Sequence, residues 1–145
     1  MNAKKYLQEY RNATARVRRY RERIEQIETT LRSINLDGLP KGGGLADPTM
    51  RAALSLTALK EDLKAAEIEA ATIAQRIADQ IEAVPDEKSR ELLFCRYVLL
   101  LRWEEVARAL DRFRPSQHYE IKHVTGYLHQ KALREFEEVN GRWLI

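Results

Sequence analysis

Apolar residues recur every three or four positions along the first 34 residues, and this spacing is the strongest pattern in the chain. The repeat has nine members: Tyr6, Tyr10, Ala13, Val17, Tyr20, Ile24, Ile27, Leu31 and Ile34. A seven-residue repeat of this kind places one apolar stripe along a helix, and the stripe needs a second helix to pack against. We therefore expect a helix from about residue 3 to Ile34 that is paired with another helix.

A second stripe of the same spacing follows the glycine-rich segment 35–48, which predicts a flexible loop. Its members are Leu56, Leu59, Leu63, Ala66, Ala70, Ile73 and Ile77. Pro48 directly follows Asp47, and this pair is typical of a helix start. Two matched helices joined by one loop predict an antiparallel, coiled-coil-like hairpin over residues 1–84. Each stripe is wider than one partner covers, so we expect homodimers or larger assemblies.

Shorter helices are predicted after Pro85, which ends the second long helix, and Asp86, which caps the next one. They cover about residues 87–100, Trp103–Leu110 and His118–Val139, with a polar loop between the last two. Gly126 indicates that the final helix is bent or begins late. The predicted fold is all-α: the long helical hairpin, followed by a small helix-turn-helix bundle over residues 85–145.

Charge is unevenly distributed, although the chain as a whole carries only +3. Residues 1–35 hold nine Lys and Arg against four Asp and Glu, whereas residues 101–145 hold eight against seven. The basic cluster comprises Arg16, Arg18, Arg19, Arg21 and Arg23. It is either a solvated helix face or a stripe that faces phosphates or an acidic partner, and the sequence leaves both interpretations open.

Patterns typical of enzymes and metal sites are missing from the sequence. The single cysteine, Cys95, lies in an apolar run and is expected to be a small buried side chain. His118, His123 and His129 lack the spacing that puts two metal ligands on one helix face. We therefore predict no enzymatic activity, no metal and no cofactor. The polar start and the short apolar runs predict a cytoplasmic protein without a membrane partner.

Two C-terminal segments carry a resemblance to known proteins. RYVLLLRWEEVARAL, which begins at Arg96, and KHVTGYLHQKALREF, which begins at Lys122, resemble region 4 of sigma factors. They are more closely similar to small phage and prophage proteins of Gram-positive bacteria that are related to ArpU-type late transcriptional regulators. AKKYLQEYRN, LPKGGG and IEAVPDEKSRELLFCRY also resemble that family, so the resemblance spans nearly the whole chain.

In two places the chain departs from this family's pattern. The segment between Leu110 and His123 is several residues longer than the family's tight turn. Gly126 and Tyr127 stand where the family has a single residue, usually arginine. A longer turn would tilt the last helix, and the missing arginine would remove a contact with phosphate or guanine.

The resemblance implies a phage-encoded or prophage-encoded DNA-binding transcriptional regulator, whose hairpin dimerises or contacts RNA polymerase. Groove-facing residues would be Lys122, His123, Thr125 and Gln130. Phosphate contacts would come from Arg112, Arg114, Ser116, Lys131 and Arg134. His129 is expected to be a helix-packing or exposed histidine, and Trp103 a core anchor. A non-catalytic assembly or adaptor protein and a DNA-packaging recognition subunit are the alternatives.

Overall fold

The described residues of this computed structural model, 2–36, 48–113 and 119–144, are mostly helical and contain no strand. The two long helices are α2 (Glu9–Leu36) and α3 (Pro48–Glu82). The shorter ones are α1 (Ala3–Leu7), α4 (Glu87–Leu93), α5 (Trp103–Leu110), α6 (Ile121–His123) and α7 (His129–Asn140). The all-α prediction is confirmed. The predicted loop 35–48 is wrong at its ends, because residues 35 and 36 are in α2 and Pro48 is in α3, and its remaining residues, 37–47, lie outside the described residues.

Two helices begin at a polar side chain that accepts a hydrogen bond from a backbone amide in the first turn. The Asn2 side chain accepts a 2.8 Å hydrogen bond from the Lys5 amide and so caps α1. Asp86 caps α4 in the same way, because its carboxylate accepts bonds from the Ser89 amide (3.0 Å) and hydroxyl (2.9 Å). The predicted starts at Pro48 and after Asp86 are both confirmed.

The chain divides into two compact units: a hairpin unit, Ala13–Ala70, and a head unit formed by Met1–Asn12 and Ala71–Ile145. This division differs from the predicted boundary between residues 84 and 85. The cause is apolar burial: Leu7 of α1 and Ile77 and Ile81 of α3 are fully buried in the same core as the C-terminal helices. A side chain that packs in that core is part of the head unit, even when the helix that carries it extends into the hairpin unit.

Within the hairpin unit, α2 and α3 run antiparallel. Ion pairs join Arg16 to Glu69 (2.8 Å), Arg21 to Glu67 (2.9 Å) and Glu28 to Lys60 (3.4 Å), so residue numbers rise along α2 as they fall along α3. These side chains are largely exposed, and such pairs contribute at most about 1 kcal/mol each. The buried members of the two stripes are Ala13, Val17, Ile24, Ala66 and Ala70.

The head unit has one apolar core, to which α1, α3, α4, α5, α7 and the π-helical turns Phe94–Val98 and Val124–Leu128 contribute, whereas α6 has no buried residue. Its buried members are Ala3, Tyr6, Leu7, Ile77, Ile81, Val84, Leu92, Leu93, Cys95, Tyr97, Val106, Ala107, Leu110, Tyr119, Val124, Leu128, Ala132, Leu133, Phe136 and Leu144. Cys95 is buried, as predicted, and burial raises the pKa of its thiol to about 12. At neutral pH this thiol is therefore protonated and has little nucleophilic character.

Leu7→Ala should destabilise the head unit by about 2 to 5 kcal/mol, because it leaves a cavity in a fully buried site. Urea unfolding followed by tryptophan fluorescence measures this, since Trp103 and Trp143 both lie in the head unit. Val139→Ala is the matched control on an exposed position. If Leu7→Ala leaves the unfolding midpoint where the control leaves it, α1 is not part of this core.

Candidate nucleic-acid interface

The predicted helix-turn-helix corresponds to α5 and the C-terminal helix, residues 121–140, which α6 and α7 form together with a π-helical turn at Val124–Leu128. The chain turns between α4 and α5 at Leu100, whose φ of 57° is the left-handed conformation that L-residues rarely adopt. Arg96 donates a 2.9 Å hydrogen bond to the Leu101 carbonyl beside this turn. The start of α5 is thereby fixed to the end of the preceding helical segment.

The connection between α5 and the C-terminal helix begins with a 3-10 turn, Asp111–Phe113. Residues 114–118 lie outside the described residues, and with them the predicted contacts of Arg114 and Ser116. The Asp111 carboxylate accepts a 3.1 Å bond from the Tyr119 amide. This hydrogen bond joins the two ends of the connection between α5 and the C-terminal helix. Leu110 and Tyr119, which lie at those ends, are buried.

The C-terminal helix begins at Ile121, later than the predicted start near His118, and Gly126 lies within its π-helical turn. A π-helical turn holds one more residue than an α-helical turn and therefore shifts the phase of the side chains on its C-terminal side. Leu128, at the end of this turn, and His129, which follows it, are both buried.

The opposite face of this helix is open to solvent between Ile121 and Arg134. Lys122, Gln130 and Arg134 are exposed there, and neither Lys122 nor Arg134 makes an ion pair within the described parts of the chain. A Cβ atom added at Gly126 would meet nothing within 4 Å. No carboxylate occurs in the sequence from 121 to 134. This open, cationic stretch has the chemistry that a DNA groove requires.

Two of the predicted phosphate-contacting residues form ion pairs with carboxylates of the same chain. Lys131 lies 3.4 Å from a carboxylate oxygen of Asp86 and 3.3 Å from one of Glu135. Arg112 pairs with Glu91 at 2.7 Å. These cations are partly neutralised, so they are weaker candidates for DNA contact than Lys122 and Arg134.

His123 lies in an aromatic ladder on the same helix. Its ring is parallel to that of Tyr119 at a centroid distance of 6.4 Å and close to parallel with that of Tyr127 at 5.6 Å. Tyr127 is 60% exposed, while Tyr119 is buried beneath Lys88. An exposed aromatic edge beside the predicted groove-facing Lys122 has the chemistry to contact sugars and thymine methyl groups.

A cleft of about 290 Å³ borders the C-terminal helix, and the sequence did not predict it. Thr125 and Gln130, two of the predicted groove-facing residues, line one side of the cleft. Lys4, Arg11 and Arg96 also line it. The cleft therefore places Thr125 and Gln130 beside cations of α1 and the start of α2.

Only part of this cluster of cations could be predicted from the sequence. Lys4, Gln8 and Arg11 are spaced four and three apart and so share one face of a helix. Their placement beside Arg96, 85 positions beyond Arg11 in the chain, comes from the packing of α1 in the head core. The basic cluster that the sequence did single out lies in the hairpin unit, where Glu69 and Glu67 neutralise Arg16 and Arg21.

His129 forms the floor of this cleft as a neutral, packed side chain. Its Nε2 atom lies 2.6 Å from the Tyr97 hydroxyl, and its ring meets the Trp103 ring edge-on at 4.8 Å. Burial and the nearby charges of Lys4 and Arg96 lower its pKa to about 4. At neutral pH, Nε2 accordingly accepts a hydrogen bond from Tyr97, and the predicted helix-packing role is confirmed.

No family model, no curated protein and no solved structure matches this chain. The described residues contain no cluster of three or more His, Cys, Asp or Glu side chains that could hold a metal ion. Among those same residues, no helix is both long and apolar enough to cross a membrane.

The stability of the head unit should decrease as the pH falls from about 6.5 to about 4. The unfolded chain takes up a proton at His129 first, because its pKa there is near 6.5, whereas the folded chain resists protonation down to about 4. This difference contributes up to about 3 kcal/mol above pH 6.5, and the contribution is lost over that window.

Urea unfolding of the wild type and of His129→Gln at a series of pH values measures this effect. The variant should lose less stability across the window, since it has no imidazole to protonate. His123→Gln removes an exposed imidazole and serves as the control. Identical pH profiles for the wild type and His129→Gln would refute the assignment.

Proposed function

We propose that this protein is a DNA-binding transcriptional regulator of phage or prophage origin, and that its C-terminal helix enters the groove of double-stranded DNA. One observation carries the proposal: from Ile121 to Arg134, this helix exposes a face with two cations that have no ion-pair partner among the described residues and with no carboxylate. The packing of α5 against the buried side of the helix leaves that face available. The proposal assigns the protein no catalytic role.

The distribution of charge divides this helix by function. Its acidic residues, Glu135, Glu137 and Glu138, all lie beyond Arg134. Phosphates would be repelled there, so the DNA contacts the first half of the helix, and Lys122, His123, Thr125 and Gln130 approach the base edges. The absence of a side chain at Gly126 permits close approach of the DNA to the backbone at the centre of this stretch.

In this proposal, the hairpin unit mediates self-association or contact with RNA polymerase. Leu54 and Ile68 on α3 are 66% and 60% exposed, and Met50 is 53% exposed. A second copy of the chain or RNA polymerase covers these side chains. The same observation favours the rival function, an assembly or adaptor protein that does not bind DNA. A DNA-packaging recognition subunit would combine both properties.

Removing the groove-facing Lys122 and the phosphate-contacting Arg134 should weaken DNA binding and reduce its dependence on salt. We expect Lys122→Ala with Arg134→Ala to lower the affinity for a mixed-sequence duplex about 10-fold at low salt. The slope of log K against log salt should fall by about 1, since the pair includes one phosphate contact and each lost phosphate contact removes about 0.9. Fluorescence anisotropy over a range of salt concentrations measures both quantities.

Arg18→Ala with Lys64→Ala is the matched control, because it removes one Arg and one Lys that are exposed in the hairpin unit. It should leave affinity and slope close to those of the wild type. If the control weakens binding as much as the test variant, only general charge attraction operates, and the assignment of the C-terminal helix as the DNA contact is wrong. If the wild-type protein binds no duplex at low salt, the DNA-binding proposal is wrong and the rival adaptor function is favoured.

A further inference from the structure

The cleft beside the C-terminal helix brings together cations from three parts of the chain. Lys4 comes from α1, Arg11 from the start of α2, and Arg96 from the π-helical turn that follows α4. The described lining contains no Asp or Glu. Held so close together, like charges repel one another, and an anion in the cleft would relieve that repulsion.

Arg96 is fixed in a position suited to binding. Its guanidinium lies 4.4 Å from the centre of the Trp103 ring, and one of its nitrogens donates to the Leu101 carbonyl at 2.9 Å. Burial and the charge of Arg11 lower the pKa of this guanidinium, but an arginine remains charged at neutral pH. A stacked guanidinium that uses one donor internally keeps further N–H groups for a ligand, and its fork matches phosphate oxygens.

The other polar groups of the cleft are neutral. The amides of Gln8 and Gln130 line it and can donate hydrogen bonds to an anion, whereas the Thr125 hydroxyl donates to the Lys122 carbonyl at 3.4 Å. His129 adds no positive charge, because it is neutral and engaged with Tyr97. Three cations surrounded by neutral donors suit an oxyanion and do not suit a metal ion or an apolar peptide.

We propose that this cleft binds a phosphate group. The phosphate can come from the DNA backbone or from a free phosphorylated compound, since both present the same oxygens. Only the first source rests on the proposed function. A phosphate held here would lie beside Thr125 and Gln130 and would therefore fix the position of the C-terminal helix in the groove.

Pyrophosphate titration tests the cleft without DNA. The Trp143→Phe background leaves Trp103, which lines the cleft, as the only tryptophan, so its fluorescence reports directly on occupancy. We expect saturable quenching and a rise in melting temperature, relative to chloride at the same ionic strength. Lys4→Gln with Arg11→Gln should weaken pyrophosphate binding at least about 10-fold.

Lys5→Gln with Arg18→Gln removes the same number and types of charge from exposed positions that do not line the cleft, and it should bind like the parent. The circular dichroism spectra and melting temperatures of both double variants without ligand establish that they fold. Equal weakening in the test and control variants would mean that only general charge attraction operates, and the proposal would be overturned.

Duplex DNA provides the second arm of the test. If Lys4→Gln with Arg11→Gln weakens DNA binding and lowers its salt slope by about 2, the phosphate belongs to the DNA backbone. If DNA binding is unchanged while pyrophosphate binding is lost, the ligand is a free phosphorylated compound. If the variant alters neither, the cleft is not a phosphate site. If the wild type does not bind DNA, the proposed function is wrong, and the pyrophosphate titration alone tests whether the cleft is a phosphate site.

Discussion

The packing of α1 in the core of the head unit is the contact on which the rest of the structure depends. Leu7 is fully buried, and the ring of Tyr6 lies 6.1 Å from that of Phe136 on the C-terminal helix. The Tyr6 hydroxyl donates to a Gln80 side-chain oxygen at 2.9 Å and so ties α1 to α3. Each fully buried large apolar side chain contributes roughly 1.5 to 3 kcal/mol, so a few such residues suffice to bring the N-terminus onto the C-terminal helix.

This packing determines where charge accumulates. Because α1 lies against the C-terminal helix, Lys4 and Arg11 line the same cleft as Arg96, Thr125 and Gln130. The salt bridges of the head unit act in the opposite direction, since Asp86 and Glu91 neutralise Lys131 and Arg112. The proposed interface is therefore narrower along the last helix than the sequence predicts, and it is wider across the neighbouring elements.

The sequence was sufficient to predict the local elements, because each depends on neighbours along the chain. The four-three spacing predicted both long helices, Asp86 predicted its own cap, and the bounds of α5 agree with the structure. The division into units was not predictable in this way, because an apolar residue such as Ile77 has the same spacing whether it meets a hairpin partner or a distant core. The π-helical turn at Val124–Leu128 and the pairing of Arg112 with Glu91 likewise depend on packing between residues far apart in sequence.

The most direct test of the account is an amide-resolved NMR titration of the isotope-labelled chain with duplex DNA. We predict chemical-shift changes at Lys122, Thr125, Gln130 and Lys4, and little change across residues 13–70. Changes concentrated between Arg16 and Arg23, or confined to Glu135 and beyond, would contradict the claim that the first half of the C-terminal helix and the adjoining cleft form the DNA-binding surface.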